Sequence, residues 1–216
     1  MIPTTSLARL SAAVATLLSL AIASISLAHA TPTTKPDGPT KNQSAPAPTS
    51  FDAFLKEASL SLRLGDDFVE DDVPETELYG FEKAVRHRQL PMKIYFAIRP
   101  IARMQIDYED PHSNAPEPDH VFPMVFQSLV SRLSKAGQRP SRVYPPEKAK
   151  KLFNADWAAA SMFDTEAELN SGFKSGLLVA IHKSQRADAY YLFVFDDPKP
   201  LKAAIDNALG VLSFTD

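Results

Sequence analysis

The densest cluster of possible metal ligands lies between residues 107 and 120. It contains five carboxylates and two imidazoles: Asp107, Glu109, Asp110, His112, Glu117, Asp119 and His120. Oxygen and nitrogen ligands mixed in this way suit a divalent cation, and the candidate ligands are Asp107, Glu109, Asp110, His112 and His120. A bound cation could assist hydrolysis of an ester or phosphoester. The alternative is a surface loop that its charges keep soluble, and the lack of two histidines four residues apart in this cluster favours it.

A second place for acid–base chemistry is His182, which lies in an apolar segment beside Lys183. It could act as a general base together with Asp196 or Asp197, near the end of a partner strand. The alternative is a histidine that is hydrogen-bonded at the rim of a sheet. No nucleophile accompanies it, and the sequence has no G-x-S-x-G, H-E-x-x-H, G-x-x-x-x-G-K or G-x-G-x-x-G motif. No motif therefore supports the catalytic interpretation.

Aromatic residues are concentrated in one apolar segment, and two more lie in another. The residues are Tyr190, Tyr191, Phe193 and Phe195, together with Trp157 and Phe163. They could line a pocket for an apolar or aromatic ligand, or they could form ordinary core. The alternation of the phenylalanines favours core. Tyr190 and Trp157 each have a polar atom that needs a partner, so these two are candidates for a ligand-facing edge.

Opposite charges are concentrated in two segments that follow each other. Residues 66–77 hold seven acids and no base, and the next stretch contains Lys83, Arg86, His87, Arg88, Lys93, Arg99 and Arg103. The acidic run lacks the ligand spacing and the glycine of an EF-hand, so we predict a solvated loop there. The two segments could screen each other, or the basic one could bind an acidic partner or a membrane surface. The binding face would then be the sheet surface around Tyr95, Arg99 and Arg103.

Composition excludes several classes of function. The chain has no Cys among its 216 residues, which excludes disulfides, Cys-ligated zinc, iron–sulfur clusters and thiol catalysis. Only seven Gly are present, so a glycine-rich phosphate cradle is not expected. The formal net charge of −3 argues against a domain that coats nucleic acid by charge alone. We therefore predict no cofactor and no nucleic-acid partner.

Hydrophobic periodicity predicts the elements that must position these residues. Alternation predicts a strand over 93–99 and another over 104–108, with Pro100 forcing a bend between them. Residues 177–183 and 189–195 are apolar on both faces and predict a central antiparallel hairpin. Residues 155–163 could form a helix, which their alanines favour, or a strand, which the alternation of Trp157 with Ala159, Ser161 and Phe163 favours. We predict a strand. Residues 66–77 are predicted to be loop.

Helices are predicted where apolar residues recur at steps of three and four. The pattern predicts a short helix from Phe51 with Ser50 as its cap, a long one over 120–136, a brief one over 147–153, and a terminal one capped by Asp197. Strands are grouped rather than alternating strictly with helices. The predicted fold class is therefore α+β, a mostly antiparallel sheet flanked by amphipathic helices in a three-layer α/β/α sandwich.

This order of elements resembles the Mog1/PsbP-like α/β/α sandwich. The resemblance is carried by the strand pairs at 92–108, the helix at 120–136, the stretch Phe153–Trp157, the hairpin at 177–195, and the terminal helix with Leu212–Phe214. It covers about 130 residues. Members of that fold are mostly small, non-catalytic binding or assembly factors, and some are exported. The resemblance therefore implies a binding role, and it transfers no site residue.

The N-terminal residues have the pattern of an export signal. Arg9 precedes an apolar run from Leu10 to Leu27, and Ala28-His29-Ala30 offers a cleavage site before Thr31. The alternative is an uncleaved membrane anchor, since 18 residues is about the shortest span. Residues 31–50 are rich in Pro and Thr and are predicted to be a disordered linker. The expected organisation is a signal peptide (1–30), a linker (31–50) and one domain (51–216), without a stable membrane anchor after cleavage.

These inferences lead to one leading expectation and two alternatives. The chain is expected to be a periplasmic or secreted, non-catalytic binding or assembly module whose partner is a protein or an envelope component. The first alternative is a metal-assisted hydrolase that uses the 107–120 loop. The second is a carrier of a small apolar ligand that uses Trp157 and Tyr190.

Overall fold

A computed structural model describes residues 50–104, 118–136 and 140–215. Its helices are α1 (Phe51–Glu57), α2 (Pro118–Leu133), α3 (Pro146–Phe153) and α4 (Lys202–Ala208). Its strands are β1 (Leu60–Leu62), β2 (Phe68–Asp71), β3 (Lys83–His87), β4 (Met92–Pro100), β5 (Ser141–Val143), β6 (Trp157–Asp164), β7 (Ser175–Lys183), β8 (Ala187–Phe195) and β9 (Leu212–Phe214). All of them belong to one unit, Ala45–Asp216. Within this described part, no helix is both long and apolar enough to cross a membrane.

The apolar strands β7 and β8 lie near the middle of a seven-stranded antiparallel sheet. Its strand order is β2-β3-β4-β8-β7-β6-β5, and β1 pairs with β9 in a separate two-stranded sheet. All nine residues of β8 are buried, because β8 has a partner strand on each side and packed side chains on both faces. The predicted central hairpin is therefore confirmed, as is the predicted strand at β6.

Helices pack on both faces of the large sheet, which confirms the α+β class. One face is covered by α2, whose Phe122, Phe126 and Val130 contact the sheet in one apolar cluster. The opposite face carries a second cluster, to which α1, α3, α4 and the β1–β9 pair contribute. Successive residues of a strand point to opposite faces, so each long strand supplies side chains to both clusters. The predicted helices at α1, α2 and α3 are confirmed as elements.

The terminal helix begins later than the sequence predicts. The prediction placed its cap at Asp197 and its first turn at Pro198, whereas α4 begins at Lys202. Pro200 disfavours the helical conformation of Lys199, the residue before it. Asp197 instead caps a turn, and its Oδ1 accepts a hydrogen bond from the Lys199 N–H at 3.0 Å.

The acidic segment is not simply a solvated loop, as was predicted, because it contains β2. That strand pairs with β3 from Phe68 to Asp71, and its acids meet bases on the adjacent strands. Lys83 Nζ lies 2.7 Å from Glu70 Oε1, and Lys93 Nζ lies 2.7 Å from Asp71 Oδ2. Burial alone would raise the pKa of Asp71, but Lys93 reverses that effect and holds the pKa below its usual range. The two segments therefore screen each other at these pairs.

The strand predicted over 104–108 lies mostly outside the described residues. β4 ends at Pro100, and Ile101–Arg103 form a single 3-10 turn that leads to Met104. Pro100 has no N–H to donate, and it is the last residue of the ladder with β8, where it lies opposite Ala187. The bend predicted at this proline is therefore present, and residues 105–117 are not described.

Candidate functional site

The sheet register brings four chemically distinctive residues into one row on the face that α2 covers. Arg99 of β4 lies opposite Asp188 of β8. Asp188 lies opposite His182 of β7, and His182 lies opposite Trp157 of β6. We call these four residues the cross-sheet row. Residues that are far apart in the sequence thus become neighbours, because antiparallel partners point to the same face.

A buried histidine–aspartate pair forms the centre of the cross-sheet row. His182 Nδ1 lies 2.7 Å from Asp188 Oδ1, and the two side chains are only 6% and 3% exposed. The Tyr190 hydroxyl donates a longer hydrogen bond, of 3.5 Å, to Asp188 Oδ2. The ring of Phe122 stacks on the imidazole with its centroid 5.0 Å away. This environment orients the imidazole and screens the pair from water.

The partner of His182 is therefore not one of the two acids that the sequence suggested. Asp196 Oδ1 accepts a hydrogen bond from the backbone N–H of Lys174, and Asp197 caps the turn before α4. The predicted strands, 177–183 and 189–195, left five residues for the turn between them. The turn is tighter than that, since Lys183 already pairs with Ala187. A turn that tight places His182 opposite Asp188, so the turn length was the signal that would have identified the pair.

Two tyrosine hydroxyls lie close to the buried pair and remain protonated at neutral pH. Burial raises the pKa of Tyr190 well above its ordinary value, and the charge of Asp188 adds to this effect. Burial also raises the pKa of Tyr79 to about 12, although Arg99 opposes the shift. The two rings meet edge to face with centroids 5.9 Å apart. Both groups can therefore act as hydrogen-bond donors but not as anions.

The two arginines proposed for partner binding have partners within the domain. Arg99 Nη1 lies 2.6 Å from Glu82 Oε1, and its Nη2 donates to the Gly80 carbonyl at 2.6 Å. The guanidinium of Arg103 pairs with Glu57 and lies 4.5 Å from the centroid of the Phe54 ring. Ion pairs and ring contacts of this kind fix the two side chains on their own domain and reduce the charge they present to a partner.

The aromatic candidates are placed by α2 and the sheet. Tyr95 and Tyr190 are each 1% exposed, so neither presents a surface to a macromolecule. Trp157 is half-buried, and its ring meets Phe122 edge to face with centroids 4.7 Å apart. Phe122 also stacks with Tyr190 at 5.7 Å. Trp157 and Tyr190 are thus brought together through Phe122, a helix residue that the sequence assigned only to the apolar stripe.

The candidate metal ligands lie mainly outside the described residues. This applies to Asp107, Glu109, Asp110 and His112. His120 is described; it is exposed in the first turn of α2. The described ranges contain no group of three or more His, Asp or Glu side chains placed to share a metal ion. The predicted metal site stays a prediction.

An apolar groove lies on the opposite face of the sheet, beside α4. Its floor is formed by Met162 of β6 and Leu177 of β7, which are cross-strand partners. Tyr144, Ile205 and Leu209 form its walls, and its volume is about 370 Å³. Met162 is 49% exposed, so this part of the floor is open to solvent. We call this feature the α4 groove.

Charged and polar groups lie around the α4 groove. Lys199, Lys202 and Asp206 are at its edge, and the Lys148 ammonium lies 5.4 Å from the centroid of the Tyr144 ring. Burial raises the pKa of Tyr144; Arg142 opposes this shift and Asp206 adds to it. The groove can therefore exclude water from an apolar group while cations remain close by. Its size is near the lower limit for small-molecule sites.

Only part of the α4 groove could be predicted from the sequence. The alternation in β6 places Met162 on the face opposite Trp157, so its direction could be predicted. Its exposure depends on where α4 begins and on which strands that helix crosses. Both depend on tertiary packing, and the late start of α4 at Lys202 was not predicted.

Comparisons with known proteins give no family for this chain: no protein-family model matches it, and no curated protein matches it.

Proposed function

We propose that this chain is an exported, non-catalytic binding module of the cell envelope that holds an apolar ligand in the α4 groove. The observation that carries the proposal is the floor of the groove, where the exposed Met162 and the partly buried Leu177 lie between the walls formed by Tyr144, Ile205 and Leu209. Binding is favoured when a ligand covers a half-exposed methionine in a concave apolar site, because the removal of its apolar surface from water lowers the free energy.

A binding role accounts for both faces of the sheet. On the α2 face, the His182–Asp188 pair lies beneath Phe122; the imidazole Nδ1 contacts the carboxylate, whose other oxygen accepts from the Tyr190 hydroxyl. On the α4 face, the groove offers apolar contact, and the described part of its lining holds one acid, Asp206. The acid–base pair and the groove are separated by the sheet. Chemistry at His182 on a ligand held beside Met162 is therefore not supported by the geometry.

Export predicts a shorter mature chain. If residues 1–30 are a cleaved leader, protein recovered from the envelope fraction of an expressing bacterium begins at Thr31. Intact-mass spectrometry measures this directly, and the cytoplasmic fraction of the same culture is the control. A purified envelope form that still contains Met1 to Ala30 contradicts the export part of the proposal.

If the α4 groove is the ligand site, the affinity of an apolar dye should depend on Met162. We expect the neutral probe N-phenyl-1-naphthylamine to gain fluorescence on the wild-type chain. Met162→Gln is expected to raise its Kd about fivefold, since roughly 1 kcal/mol of apolar contact is lost. The matched control is Met124→Gln, because Met124 is 71% exposed on α2, on the other face. Absence of dye binding, or an equal effect of both variants, contradicts the groove as the ligand site.

A further inference from the structure

The charges around the α4 groove are unbalanced in favour of cations. Among the described residues, its lining contains Lys199 and Lys202 and one acid, Asp206. Just outside the lining, Lys148 lies over the Tyr144 ring, and Arg142 is close enough to oppose the pKa shift of Tyr144. The acid Asp164 lies two residues after Met162, at the end of β6, and lines a different groove, with Lys135 and Lys174.

Lys199 is the cation best placed to receive an anionic group. Among the described residues, no carboxylate lies within 4.0 Å of its ammonium. Lys202 pairs with Asp206 one helical turn further on, but the two side chains are 76% and 52% exposed. Such an exposed pair is weak, because water and salt screen it. Lys202 can therefore turn towards a ligand at small cost.

The acid of the groove, Asp206, lies beside Lys202, with which it pairs. It is also close enough to Tyr144 for its charge to add to the raised pKa of that hydroxyl. Lys199 precedes α4 and belongs to the turn that Asp197 caps. An amphiphile would gain most by placing its negative head at Lys199 and Lys202 and its apolar tail over Met162 and Leu177.

The volume of the α4 groove limits how many apolar chains a ligand can place in it. A groove of about 370 Å³ is near the lower end of small-ligand sites. It suits one short apolar chain and is small for the two chains of a bilayer lipid. Resting on the proposed function, we infer that the α4 groove binds a free single-chain anionic amphiphile, with Lys199 and Lys202 at its head and Met162 and Leu177 at its tail.

The test compares two competitors with the same tail. Decanoate and decan-1-ol are used, each below its limit of solubility or aggregation, to displace N-phenyl-1-naphthylamine from the full exported chain. We expect decanoate to displace the dye at about tenfold lower concentration than the alcohol, since two cation contacts each add a modest gain. This preference should decrease as NaCl is raised, because salt screens exposed charges.

Charge variants assign the preference to the two lysines. Lys199→Gln combined with Lys202→Gln is expected to reduce the tenfold preference to about twofold or less. The preference is a ratio of two displacement concentrations measured on the same variant, so a change in dye affinity cancels from it. The matched control combines Lys56→Gln with Lys135→Gln, which removes the same net charge from exposed positions outside the groove. A loss of preference in the control as large as in the test variant overturns the assignment to Lys199 and Lys202.

The outcomes separate this inference from the proposed function. If the dye binds but decanoate and the alcohol displace it equally, the anionic head is wrong and the apolar groove stands. If the dye does not bind at all, the groove itself fails. If the chain co-sediments with vesicles of anionic phospholipid while decanoate does not displace the dye, a membrane surface is the partner and the inference is overturned.

Discussion

Replacing Asp188 with Ala is expected to lower the free energy of unfolding by about 3–5 kcal/mol. Its carboxylate lies 2.7 Å from the imidazole of His182, and both side chains are almost completely buried. Removal of the carboxylate leaves the imidazole nitrogen without that partner in a site where water cannot easily replace it. The Tyr190 hydroxyl also loses an acceptor. Two buried polar groups are therefore affected by one substitution.

Urea denaturation followed by Trp157 fluorescence measures this effect, because the only Trp of the chain belongs to the same cross-sheet row. Asp188→Asn is the conservative variant. It retains shape and an amide oxygen that can accept the hydrogen bond, so it should cost clearly less than Asp188→Ala. Glu70→Gln breaks an exposed pair with Lys83 and should leave the midpoint nearly unchanged. A loss below about 1 kcal/mol for Asp188→Ala would show that the pair contributes little to stability.

Local signals in the sequence were sufficient for most of the elements. The strands β7 and β8 are long apolar runs, so burial on both faces followed directly from composition. The helix α2 carries an apolar stripe at steps of three and four. The predicted start of α4 was wrong because Pro200 disfavours the helical conformation of Lys199, and this effect outweighed the capping signal of Asp197. The strand β2 was predicted as loop because its acids pair with Lys83 and Lys93 on other strands, and the sequence around β2 does not show these partners.

The candidate sites required information that periodicity does not contain. A tight turn would have placed His182 opposite Asp188, since both flank the same hairpin. Arg99 and Trp157 join that row only through the strand order β4-β8-β7-β6, which brings together residues from three separate segments. The α4 groove depends on how α4 packs beside β6 and β7, because all three elements contribute to its lining. Residue type alone thus suggested which side chains could take part in acid–base chemistry or ligand binding. Strand register and helix packing on the sheet determined which of them are buried and which are accessible.

The two faces of the sheet have different consequences for mutation. Polar groups on the α2 face are engaged with one another beneath α2, so changes there are expected to act on stability. The α4 groove has an exposed floor, so changes at Met162 are expected to act on binding with little effect on folding. Dye affinity and urea midpoint should therefore vary independently between variants of the two faces, as expected for sites separated by a rigid sheet.

Phe122→Ala is expected to destabilise the domain by about 3–5 kcal/mol, because it creates a cavity at a completely buried ring. The ring contacts Trp157, His182 and Tyr190, with centroids 4.7, 5.0 and 5.7 Å away. Its loss also admits water towards the His182 pair, so native Trp157 emission should shift to the red. Phe122→Leu refills most of the volume and should cost less than about 1.5 kcal/mol. If Phe122→Ala unfolds at the wild-type urea midpoint with unchanged emission, α2 does not seal this face, and the site beneath it is open to ligands.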